Sequence, residues 1–141
     1  MGTEENKQLV RRFYEEVVNT GDVERIAEFV DPGCVERAGR ERVESGIEGM
    51  AEHVVGVRRT YPDLELEIER QIAEGEWVAT VVIARGTHEG EWAGIAPTGQ
   101  ALEFTGVNVD RVVDGRIVEH GGAADMLGPL LEAGAVRPVS G

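Results

Sequence analysis

Leu64-Glu65-Leu66-Glu67-Ile68-Glu69 alternates apolar and acidic residues over six positions, and this period of two decides the fold. Successive side chains of a strand point to opposite faces, so one face of this segment packs on a core and the other meets water. Downstream the same logic continues. Glu74-Gly75-Glu76 marks a turn, and residues 77–87 form a long strand rich in Val, Ile and Thr. Residues 89–100, with Gly90, Gly94, Pro97 and Gly99, read as a loop. Residues 102–113 form the next strand, Asp114-Gly115 a tight hairpin, and residues 116–123 its partner. Upstream the period lengthens. Leu9, Val10, Phe13, Val17 and Val18 recur at helical spacing, which predicts an amphipathic helix over 4–18. Asn19-Thr20-Gly21 stops it, and Asp22 is placed to cap a second short helix over 23–29. Asp31-Pro32-Gly33 is a turn by composition, 34–37 a short strand, and 39–45 a charged loop. A third helix is predicted over 47–60 with Met50, Val54 and Val57 inward, ending before Pro62. Asp125 is placed to cap a closing helix through Met126, Leu127, Leu130 and Leu131.

Helices, then three or four antiparallel strands, then a short helix predict an α+β domain. The N-terminal helices pack on the concave face of a curved, mostly antiparallel sheet. A concavity that the helices do not fill leaves an apolar pocket with a few polar groups inside. One domain over 1–141 is expected, with its core at about 5–134. A chain of 141 residues, 41% hydrophobic, can bury a core of its own. The formal net charge of −13 sets the chain against phosphate backbones and anionic lipid, so neither nucleic acid nor membrane is an expected partner. No apolar run approaches the ~20 residues of a membrane span. The first residues lack the basic and apolar regions of a signal peptide. The single cysteine, Cys34, excludes an internal disulfide, and the expected location is the cytoplasm. The histidines, His53, His88 and His120, show no metal-ligand spacing, so no metal is expected.

Arg85-Gly86-Thr87-His88-Glu89-Gly90-Glu91-Trp92, then Gly94-Ile95-Ala96-Pro97-Thr98-Gly99 and Phe104-Thr105-Gly106, resemble the middle of the SnoaL-like polyketide cyclases. So do Asp114-Gly115-Arg116-Ile117-Val118-Glu119-His120 and Asp125-Met126-Leu127-Gly128, together with Tyr61-Pro62-Asp63 and the first helix. The resemblance implies a cone-shaped fold, a homodimer through the outer sheet face, and cofactor-free acid–base chemistry on a hydrophobic small molecule. That chemistry is an aldol-type ring closure, an isomerisation or a hydrolysis; the alternative is a binding or carrier domain of the same fold. By the same resemblance, the family's catalytic aspartate falls on Gly122, two residues after His120, and a second polar position falls on Asn108.

His120 is then the leading proton carrier, since its ordinary pKa is near neutrality. The competing reading is a structural histidine. Strand parity sets Asn108 on one face with Phe104, Gly106 and Asp110, and His120 on one face with Val118 and Gly122. Asp125 reads either as a displaced catalytic acid or as the helix cap. His88 reads as a residue of the pocket mouth or an exposed strand end, and Glu36 as a pocket carboxylate or a solvated one. Trp92 and Phe104 are expected on the pocket wall, and Trp77 in the core or the wall. His53 is expected as a half-buried helical residue. Gly121-Gly122 marks either a bulge or the close approach of a ligand.

Overall fold

The computed structural model describes residues 2–140. Helix α1, Thr3–Phe13, runs into a π-helical turn, Tyr14–Val18, and a 3-10 turn, Val23–Glu28. Strands β1, Val30–Ala38, and β2, Glu41–Glu44, follow, then α2, Gly46–Thr60. Strands β3, Glu65–Glu74, β4, Trp77–Thr87, β5, Ala101–Val113, and β6, Arg116–Asp125, lead to the closing helix α3, Leu127–Glu132.

The six strands form one curved, unclosed sheet in the order β2-β1-β6-β5-β4-β3. The helices lie against its concave face, as the order of helices and strands along the chain predicts. The inner side chains of the sheet meet α1 and α2 in a core that includes Val10, Phe13, Phe29, Met50, Val54, Val78, Val112 and Ile117. A second cluster, with Tyr61, Leu64, Ala84, Leu102 and Leu130, lies under α3. Val107 and Val109 stand 40% and 38% exposed on the outer face.

Several elements differ from the sequence expectation. Residues 41–44 form a strand rather than a loop, pairing antiparallel with β1. All four are exposed, so no alternation of apolar residues announces them; an edge strand carrying charges is a usual defence against unwanted pairing. The Asp31-Pro32-Gly33 turn lies inside β1, where the register to β6 shifts between Val30 and Val35. Proline is tolerated at such irregularities because no ladder hydrogen bond is demanded of it. The β1–β6 pairing is parallel, the one parallel ladder among the described residues. The first helix is not α throughout: the Asn19 N–H reaches back five residues to the Tyr14 carbonyl at 2.9 Å. Inserted π turns of this kind recur at functional sites.

Two caps are also corrected. Asp22 sits at the cap position, but its side chain makes no cap bond; instead its N–H donates to the Thr20 hydroxyl at 3.2 Å. Asp125 belongs to β6, and Met126 holds the cap position of α3, again with no side-chain bond. Extension of the β5–β6 ladder to Asp125 opposite Thr105 overrides the local capping preference. Trp77, expected in the core or the pocket wall, is 42% exposed at the start of β4.

Candidate active site

Between the concave sheet face and α2 lies a cavity of about 610 Å³. Its walls are mostly apolar, with Met50, Val54, Val57, Leu66, Val82 and Phe104 among them; Glu36, Asn108 and His120 bring polar side chains from three neighbouring strands, and Tyr14, His53, Thr60 and Tyr61 from the helical side. Asp110 on β5 is paired in register with His120 on β6, which is paired with Glu36 on β1. Strand pairing alone therefore sets a carboxylate on each side of the imidazole.

The parity that aims His120 inward comes from a bulge. Val112 pairs with Ile117, but Arg111 pairs with Glu119, so β6 carries one extra residue, Val118. Without it, Asp110 would face Glu119, and His120 would lie opposite the outward Val109. The bulge therefore rotates His120 onto the inner face opposite Asp110, a re-aiming role that β-bulges often have. It also corrects the sequence reading that grouped His120 with Val118. The residue directly opposite Asn108 is Gly122, not His120.

His120 Nδ1 lies 2.6 Å from Asp110 Oδ1, and the Tyr14 hydroxyl hydrogen-bonds Asp110 Oδ2. A carboxylate only accepts, so both the ring N–H and the phenol O–H are donors. This fixes the tautomer and leaves Nε2 as the free nitrogen of a ring on the cavity wall. Asp110 is fully buried and His120 is 9% exposed. Burial alone would lower the pKa of His120. The Asp110 charge and hydrogen bond, with a smaller push from Glu36, outweigh it and hold the imidazole above its ordinary value. Tyr14 is driven well above the usual phenol value, first by burial and then by the Asp110 charge, so it stays a neutral donor. Asn108 also lines the cavity and lies near the Tyr14 hydroxyl.

Glu36 faces the cavity from β1. Its Oε1 lies 3.4 Å from His53 Nδ1 on α2. The contact has the distance of an ion pair but not hydrogen-bond geometry, so Oε1 is a buried atom with no hydrogen-bond partner among the described residues. The neighbouring His53 ring holds Glu36 below the usual carboxylate range. The His53 ring stands edge-on to His120, with centroids 5.8 Å apart.

Of the residues singled out in the sequence, His120, Asn108, Glu36, Trp92, Phe104 and Gly122 lie on the cavity wall. Two do not. Asp125 pairs with the outward Thr105 and is exposed, because strand alternation turns it away from the inward Ala124. His88 is 1% exposed, neither at a mouth nor at an exposed strand end; it hydrogen-bonds the Thr98 hydroxyl through Nδ1 at 3.2 Å and packs on Tyr61. Sequence reasoning passed over Tyr14, Tyr61 and the pairing role of Asp110. Tyr14 was hidden within a helical pattern counted from Leu9, Val10, Phe13, Val17 and Val18. The available signal for Asp110 was its shared face with Asn108. Cys34 is buried, and burial followed by nearby carboxylates pushes its thiol up to about 12, which leaves little thiolate.

Gly122 is required by close packing. A Cβ there would stand 2.5 Å from Asn108 Oδ1 and 2.7 Å from the Val107 carbonyl oxygen. Gly122→Ala is therefore expected to lower stability by about 1–3 kcal/mol through overpacking. Gly122→Asp should do at least as badly. Urea unfolding checks this, and an unchanged midpoint in either variant contradicts the packing account.

Residues 8–132 match the model of the SnoaL-like polyketide cyclase family. The chain is 30% identical over 122 residues to nogalonic acid methyl ester cyclase from Streptomyces nogalater, covering 85% of this chain and 91% of that one. It is 30% identical over 136 residues to an aklanonic acid methyl ester cyclase from Streptomyces peucetius, covering 92% and 91%. Among solved structures, AclR from Streptomyces galilaeus superposes with a TM-score of 0.82 at 30% identity, over 98% of this chain and 86% of that one. With match lengths that span nearly the whole of both partners, the chain belongs to the SnoaL-like polyketide cyclase family.

Proposed function

We propose that this protein is an acid–base catalyst whose own side chains act on a small, hydrophobic polyketide-type molecule, with His120 as the proton carrier. The supporting observation is the Asp110–His120 pair set on the wall of an apolar cavity. Asp110 orients the ring and strengthens Nε2 as a base, as a buried carboxylate does for a catalytic imidazole. For an aldol-type closure, Nε2 takes a proton from an activated C–H. The resulting enolate carbon bonds to a carbonyl carbon of the same molecule, and the alkoxide so formed takes the proton back. Asn108 supplies a hydrogen-bond donor for the developing oxygen charge. The cavity volume suits a drug-sized or somewhat larger molecule.

The relatives named for methyl esters of nogalonic and aklanonic acid supply the first substrates to try. The expected result is a new ring formed from one of these esters, detected by mass-neutral change in absorbance and chromatographic mobility. Recovery of every ester unchanged, together with tight binding, favours the carrier reading. The observation behind that second reading is Gly122, which leaves no carboxylate at the position where the family resemblance expects one.

A further inference from the structure

Tyr61, at the C-terminal end of α2, carries a hydroxyl that the proposed chemistry does not use. The residue is 5% exposed and lines the cavity. Its hydroxyl is buried without a hydrogen-bond partner among the described residues. Burial raises its pKa, so it remains a protonated donor at neutral pH. A buried donor left unmade is costly, and native proteins seldom leave one without a reason.

The ring is also held in place. It packs between His88 and Phe104, with centroids 5.7 and 5.8 Å away. Thr98 pins His88 in turn. Beneath the ring lies Gly86, where a Cβ would stand 2.8 Å from Tyr61 Cβ. A glycine in mid-strand weakens the strand unless something must approach closely, and here that something is Tyr61. The ring is thus held on the cavity wall, and its covered hydroxyl is left without a partner among the described residues.

The acid–base group marks the other end. His53, which faces His120, lies eight residues before Tyr61, about 12 Å along a helix axis. On the sheet, Phe104 beside Tyr61 and Asp110 beside His120 are six residues apart on β5, about 20 Å along an extended strand. Both rulers separate the two polar ends by well over one ring's width, with Val54, Val57, Leu66 and Val82 between them.

We infer that the Tyr61 hydroxyl is a specificity anchor, selecting elongated hydrophobic ligands that carry an oxygen at the end remote from His120. This rests on the cavity being the substrate site, as proposed above. A ligand without the remote oxygen leaves the donor unpaired, and discrimination by such unpaired groups is much stronger than that by an added methylene.

The test is a binding cycle with two probes, read by tryptophan fluorescence: 2,6-dihydroxyanthraquinone, polar at both ends, and 2-hydroxy-6-methylanthraquinone, polar at one. The wild type is expected to prefer the dihydroxy probe by about tenfold, the scale of one satisfied buried hydrogen bond. Tyr61→Phe should remove that preference while leaving affinity for the methyl probe and the melting temperature nearly unchanged. Gly86→Ala, which keeps the hydroxyl but displaces the ring, should remove it as well. Equal preference in wild type and Tyr61→Phe, or no binding of either probe, overturns the inference. Turnover is not needed for this readout. Loss of the Tyr61 effect with a working ester cyclisation defeats the anchor alone; a Tyr61 effect without any turnover defeats the catalytic reading alone.

Discussion

Replacing Asp110 by alanine is expected to cost about 3–5 kcal/mol of folding stability, because it removes one member of a buried, hydrogen-bonded pair. Asp110 is wholly inaccessible and accepts from both Tyr14 and His120. Its loss strands two buried polar groups at once. Asp110→Asn keeps the volume and separates packing from charge. In that variant the burial of His120 persists without the compensating carboxylate, so the imidazole pKa should fall from above its ordinary value to below it.

The pH dependence then reverses sign. In the wild type the raised pKa of His120 contributes stability that is full below the unfolded value of about 6.5 and is lost as pH rises through the folded value. In Asp110→Asn the ring is harder to protonate folded than unfolded, so acidification through that same region should destabilise the protein. Urea unfolding at several pH values, each compared with His120→Gln, isolates this contribution. NMR titration of the His120 ring gives the pKa directly. A His120 pKa that is the same with and without the Asp110 charge would remove the electrostatic account of this pair.

The second large effect is kinetic. On an ester that the wild type cyclises, His120→Gln is expected to reduce turnover by roughly 100- to 10,000-fold, the usual contribution of a positioned general base. Glutamine retains hydrogen bonding but moves no proton near neutral pH. The rate in the wild type should rise with pH as the ring loses its proton, with a half-point above the ~6.5 of free imidazole. In Asp110→Asn the half-point should move to lower pH and the plateau should drop, since a weaker base is left in a less fixed orientation. A His120→Gln protein with the wild-type rate and pH profile would exclude this ring as the proton carrier.

The layers of the fold are visible in short-range pattern. The six-residue alternation from Leu64, the Asp114-Gly115 hairpin and the helical spacing in the first eighteen residues place strands and helices close to where they stand. These signals are local: each needs only a few neighbouring residues to state which face is apolar. Strand β2 escaped the reading because an exposed edge has no apolar face to repeat.

The site is different in kind. The family resemblance together with residue type nominates His120, Asn108, Glu36 and Phe104, and order along the chain puts them on neighbouring elements. The partner of His120 was decided only in three dimensions, by one extra residue at Val118 that turns the following strand over. Val-Glu-His has no local signature for such a bulge, because the bulge is a property of the pairing between two strands. Tyr14 joins Asp110 from 96 residues away, and Tyr61 gains its seat from Gly86 on β4 and from His88 just beyond that strand. The amino-acid sequence by itself determined which segments are helix and strand, since that depends on side-chain periodicity; only the tertiary structure decided which polar groups meet, since that depends on long-range register.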